Sequence, residues 1–201
     1  MKDAVQQRDT KASILNATDR LLSRHGYRKM TIDDLAAEVG IGKGSVYLHF
    51  SSKEEIVLSH IDRIIERLKT RLHAIAAKDL SCDERLKLML VERVMFRFDS
   101  VQHYTQNLND MLAQIRQNLL ERRKRYFIEE ARIFAQVIEE GGKTFELAGA
   151  DPLESAKTLL SATNSLLPFS LTTSELGERG EIESKVRRLA DVLLEGLIRR
   201  K

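Results

Sequence analysis

The sequence predicts an all-α protein in which an N-terminal three-helix unit with a helix-turn-helix is joined by a long helix to a C-terminal helical domain. Three observations carry this. Apolar residues recur at helical spacing in nearly every segment. Two prolines and ten glycines are all that punctuate 201 residues. Two short helical segments also flank the sequence Val39-Gly40-Ile41-Gly42, whose glycines suit a sharp turn. The boundary is expected near residue 55, giving a helix-turn-helix domain over 1–55 and a helical domain over 56–201.

Each element follows from local signals. The first residues, MKDAVQQRDTKAS, are polar and read as a disordered start. Ile14, Leu15, Ala17, Thr18, Leu21 and Leu22 then share one helical face, with Gly26 placed to stop the helix. Thr31 is a hydroxyl N-cap followed by Asp33 and Asp34, which complement the helix dipole, so a short helix is expected over 32–38. A second spans 43–50, with Val46 and Phe50 on one side and Ser45, Tyr47 and His49 directed elsewhere. Ser51-Ser52-Lys53-Glu54-Glu55 starts a long helix running to Ile75. Another begins at Asp83 and breaks near 99–103. Helical spacing resumes from Leu108 to Ile138, with a kink expected near Gln117 and a stop at Gly141-Gly142. Residues 143–152 read as a loop, Pro152 as the first position of a helix that Pro168 ends, and 172–180 as a loop before a last helix from Ile182.

Composition excludes several classes. No run approaches the roughly 18 unbroken apolar residues of a membrane span, and no secretory signal opens the chain, so a soluble cytoplasmic protein is expected. Cys82 is the single cysteine and cannot form an intrachain disulfide; it reads as a helix-start or core thiol. The five histidines show no ligand spacing with Cys82 or with acids, so neither a metal nor another cofactor is expected. The net charge is +3, and residues 1–55 hold nine Lys or Arg against eight Asp or Glu, too even a balance to identify nucleic acid by charge alone. The basic run at 122–125 reads as a solvated helix face.

Spacing is more informative than charge. Two short helices joined by a glycine turn, the second rich in small polar and aromatic residues, match the geometry that inserts one helix into a major groove. The segment TIDDLAAEVGIGKGSVYLHFSSKEEI at 31–56, preceded by ILNATDRLLSRHGY at 14–27, closely resembles the TetR family of bacterial transcription regulators. The resemblance covers about a quarter of the chain. It implies a recognition helix over 43–49 and DNA contacts from Thr31, Lys43, Gly44, Ser45, Tyr47, Leu48, His49 and Lys53. Physical reasons support the choice. Gly44 and Ser45 permit close approach, Lys43 can reach a guanine edge or a phosphate, and Tyr47 and His49 can donate to phosphates. Two positions depart from the family pattern: Gly42 stands at the usual Ser or Thr cap, and Leu48 at a usually polar or larger aromatic site.

Residues beyond 80 contain no phosphate loop, nucleophile elbow or metalloprotease motif, so no enzyme is expected. The resemblance implies that this region pairs two subunits and encloses a small effector. The helices at about 152–167 and 182–199 would form the homodimer interface, with Ser161, Ala162 and Ser165 allowing close crossing. Phe96, Phe98, Tyr104, Met111, Ile115, Phe127 and Asn164 lie in the helices expected to bind an effector. The scarcity of charge on their faces favours an apolar one. The leading expectation is a ligand-responsive repressor that binds a double-stranded, pseudo-palindromic operator. Its alternatives are a ligand-independent or corepressor-requiring regulator and an all-helical enzyme with a DNA-binding appendage. A sequence-indifferent nucleoid protein would carry a larger basic excess.

Overall fold

The computed structural model describes residues 2–101, 108–142, 145–147, 151–167 and 177–200. Helix α1 runs Lys2–Lys29, α2 Ile32–Val39, α3 Lys43–Tyr47, α4 Lys53–Ala76, α5 Cys82–Val101, α6 Leu108–Gln114, α7 Arg116–Gly141, α8 Pro152–Thr163 and α9 Arg179–Leu197. The all-α expectation holds. The chain forms two units, one from residues 1–64 and 103–119, the other from 65–102 and 120–201. The first unit therefore takes in a second stretch of chain beyond the boundary expected near 55.

In the first unit, α1 buries Ile14, Ala17, Leu21 and Leu22, the face that their spacing predicts. It begins at Lys2, so the start read as disordered is helical. The reason is local. Ala, Gln, Arg and Lys are good helix formers, and extending a helix already fixed by packing costs little. Gly26 does interrupt α1, at φ 72 and ψ 171, before a last turn to Lys29. Helix α2 carries a full capping box: the Asp34 amide donates to the Thr31 hydroxyl oxygen at 3.1 Å, and the Thr31 amide to the Asp34 carboxylate at 2.9 Å. Gly40 closes it in the left-handed region, φ 75, donating its amide to the Ala36 and Ala37 carbonyls.

In the second unit, α5 lies against α8 and α9, and Phe134, Leu86, Met89 and Leu90 are fully buried. Cys82 opens α5, a helix-start position as read from the sequence, and its buried thiol donates to the Val137 carbonyl at 3.2 Å. Burial pushes that thiol's pKa up, the environment of an inert core thiol. The break expected near Gln117 falls at Ile115, between α6 and α7. Two short strands were not foreseen: β1, Phe145–Leu147, pairs antiparallel with β2, Ile198–Arg200, where the last helix was expected to continue. Ile198 is β-branched and follows soon after Gly196, two features that favour leaving the helix. Pro168 and residues 172–176, given roles above, lie outside the described residues.

A buried charge cluster crosses this unit. From α5, Arg93 Nε donates to Glu130 Oε2 of α7 at 2.8 Å, and Arg97 donates to Glu130 Oε1. Arg93 also donates to the Thr163 hydroxyl at 2.9 Å, the Leu160 carbonyl at 3.3 Å and Asn164 Oδ1 at 2.9 Å. Burial by itself raises the Glu130 carboxyl, but the Arg97 and Arg93 guanidiniums outweigh it and hold the carboxyl below the usual carboxylate range. A depressed native pKa stabilises the fold above the ordinary carboxylate range, and that stabilisation disappears as pH falls through the native value. Glu130→Gln is expected to destabilise the protein by about 3–5 kcal/mol at neutral pH, since two buried guanidiniums then lack their counter-ion. Denaturant titrations between neutral pH and pH 3 check both points, with the gap between wild type and variant narrowing in acid.

Candidate nucleic-acid interface

Helix α3 is seated by its inner face and free on its outer one. Val46 and Phe50 are buried while Tyr47 and Leu48 stand 49% and 84% exposed. The inner contacts are with α2, which in turn lies on α1. Entry to α3 is made by Gly42 in an extended conformation with no side-chain cap, so the glycine at the usual Ser or Thr position leaves the helix start uncovered. Gly44 faces open space: a Cβ built there would meet nothing within 4 Å. Gly44, Tyr47 and Leu48 stand at i, i+3 and i+4 and so share the outer face.

The charged and polar candidates are partly engaged within the fold. Lys43 Nζ donates to Asp33 Oδ2 at 2.8 Å, a bond that raises the lysine's pKa and keeps it cationic. The Thr31 hydroxyl donates to Asp34 Oδ2 at 2.7 Å and accepts from the Asp34 amide, so it serves the α2 cap first. Lys53 has a structural task that spacing does not reveal. Its ammonium donates to the carbonyls of Tyr27 at 3.0 Å and Met30 at 3.2 Å, 4.4 Å above the Tyr27 ring, bracing the turn after Gly26 from the start of α4. One N–H remains for an external acceptor. His49 and Ser45 are half-buried, His49 with its ring centroid 6.5 Å from that of Phe50. Thr31, Lys43, Gly44, Ser45, Tyr47, Leu48, His49 and Lys53 thus all fall in the N-terminal unit, on or beside α2, α3 and the start of α4.

A second clamp in this unit escaped the sequence reading. Arg63 of α4 donates to Asn16 Oδ1 at 2.7 Å and to the Leu15 carbonyl at 2.9 Å, and His60 Nε2 lies 3.4 Å from Asp19 of α1. These bonds tie α4 to α1 across more than forty residues of sequence, a separation at which periodicity carries no signal.

The effector candidates are divided. Met111 and Ile115 are buried in the first unit, Phe96 and Phe98 are buried in the second, and Phe127 and Asn164 are half-buried there. Tyr104 lies outside the described residues. Phe96 is roofed by guanidiniums, Arg71 at 4.8 Å and Arg67 at 5.8 Å from its ring centroid. Asn164 is bonded to Arg93. The expectation of few charges on these faces is therefore corrected: Arg93, Arg97 and Glu130 are all buried among them. Among the described residues no group of three or more His, Cys, Asp or Glu is arranged to hold a metal ion.

A family model described as bacterial regulatory proteins, tetR family, matches residues 14–59, which are α1 from Ile14 through the first turns of α4. The chain is 30% identical over 156 residues to the nucleoid occlusion factor SlmA of Serratia proteamaculans, across 66% of this chain and 79% of that one. It is 26% identical over 121 residues to the HTH-type transcriptional regulator TtgR of Pseudomonas putida, and there it spans 58% of the relative's length. In structure it is similar to a TetR-family transcriptional regulator from Pectobacterium atrosepticum, with a TM-score of 0.75 at 19% identity over 98% of each chain.

Gly44→Ala separates the two demands on α3. Alanine is expected to raise stability by about 0.5–1 kcal/mol, because glycine is a poor helix former and the added methyl meets nothing. The same methyl on the outer face is expected to weaken DNA binding, so thermal unfolding and DNA titration should move in opposite directions.

Proposed function

The chain belongs to the TetR family of bacterial transcription regulators, and we propose that it acts there as a repressor, a homodimer on a pseudo-palindromic operator that a small effector releases. The observation that carries this reading is the outer face of α3, bare of local packing on an otherwise tightly held helix. In this reading Tyr47, His49, Thr31 and the remaining N–H of Lys53 hold phosphates and set the register, while Lys43, Gly44, Ser45 and Leu48 face base edges.

Pairing is supported by α9. Ile182, Val186, Ala190 and Leu194 are buried within the protomer, yet Val192 is 67% exposed and Leu189 and Leu193 are half-buried, a second apolar stripe at i, i+3 and i+4. The small residues Ser161 and Ser165 are exposed. A symmetric pairing through α8 and α9 would cover both and bring two copies of α3 into one assembly. Helix α4 is continuous from Lys53 to Ala76, so it links the DNA-binding helices covalently to the second unit. An effector acts by binding more tightly to the dimer whose half-site spacing is wrong. Linkage then requires DNA to weaken effector binding by the same factor.

A second reading follows from the SlmA match, which extends beyond the helix-turn-helix: a DNA-bound protein with a part in nucleoid occlusion. Selection of bound duplexes from a randomised library at near-physiological salt tests both. A palindromic motif with half-sites about one helical turn apart is expected, and promoter sites favour repression where sites spread along the chromosome favour the second reading. Retention without any motif would overturn sequence-specific regulation.

A further inference from the structure

Among the described residues, Leu48 is the most open of the exposed large apolar side chains, at 84%. Its place matters more than its exposure, since single exposed leucines are common on protein surfaces. It closes α3, donating its amide to the Gly44 carbonyl at 3.1 Å, and shares the outer face with Gly44 and Tyr47. Nothing packs over Gly44, so the helix can approach a surface closely there and bring Leu48 in with it. Lys43, the one cation within α3, is already bonded to Asp33. The leading atoms at this end of the face are therefore leucine methyls, which neither donate nor accept a hydrogen bond.

In a major groove that chemistry has one base-specific counterpart. Every base edge there is a pattern of donors and acceptors except for the C5 methyl of thymine. A leucine against a donor or acceptor strips water from it and returns nothing, whereas against the thymine methyl both apolar surfaces leave water together. Resting on the reading of α3 as the recognition helix, we propose that Leu48 reads a thymine C5 methyl in each half of the operator and so determines specificity at that base pair.

Deoxyuridine differs from thymidine by that methyl alone and pairs identically. Each symmetric thymine pair of the selected operator is replaced in turn by deoxyuridine, and binding of wild type and Leu48→Ala is measured. For wild type, one pair is expected to weaken binding about fourfold per methyl, roughly fifteenfold for both half-sites. Leu48→Ala is expected to bind thymine and uracil operators alike, near the affinity of wild type for the uracil form. Its thermal unfolding should be unchanged, since the side chain is solvent-exposed. If wild type binds every uracil operator as tightly as the parent, or if Leu48→Ala keeps the thymine preference, the assignment is overturned although the regulator reading stands. If no motif is recovered at all, both fall.

Discussion

Five residues make little more than one turn of helix, and in water such a segment does not hold its shape. Nucleating a helix carries a factor of about a thousand against it, roughly 4 kcal/mol, before any hydrogen bond propagates. Helix α3 persists because Val46 and Phe50 are withdrawn from solvent, and two buried side chains of that size return about 3–6 kcal/mol. The two quantities are close, so the exposed face exists only as long as the inner one is seated. Everything around α3 serves that seating. Gly40 takes the left-handed conformation that turns the chain, the Thr31–Asp34 box fixes the start of α2, and Lys53 closes the kink at Gly26 from the far side.

The second unit relies on a different device. Two guanidiniums and one carboxylate leave an excess positive charge in its interior, which would be costly if nothing met it. Arg93 meets it with the last turn of α8: the Leu160 carbonyl and the Thr163 hydroxyl accept from its guanidinium, and a helix C-terminus carries about half a negative charge. The cluster is satisfied only when α5, α7 and α8 are in one arrangement. An apolar core would tolerate small slides between these helices, and this one resists them.

How far the sequence discloses all this depends on how local the signal is. The helix-turn-helix was legible because each of its parts is decided within four residues: a cap and its acid at Thr31 and Asp34, a glycine where φ turns positive at Gly40, an i, i+4 pair at Val46 and Phe50. The charge cluster was not, because Arg93 and Glu130 are 37 positions apart and each sits among residues that read as an ordinary amphipathic helix. Nothing short of the fold tells a buried arginine from a solvated one. The same holds for Lys53, whose partners lie before α2, and for the β1–β2 pairing, which joins segments fifty residues apart. Periodicity found the helix broken at Ile115 but placed the break two residues late, since the turn carries neither glycine nor proline.

The two positions that depart from the family pattern, Gly42 and Leu48, also converge on one place, and Gly44 lies between them. Gly42 omits a side-chain cap, Gly44 puts a poor helix former in a helix that can least spare it, and Leu48 spends an apolar side chain on solvent. Each works against the isolated fold, and all three lie in α3 or at its two caps, while α2 beside it keeps its capping box and its buried apolar face. Local choices that conflict with stability and cluster on one exposed face are the physical mark of a surface completed by something else. The missing cap leaves the helix start open, the missing Cβ lets the backbone come near, and the leucine waits for an apolar neighbour. In the reading proposed for α3, a DNA groove would supply phosphate for the first, close walls for the second and a methyl for the third.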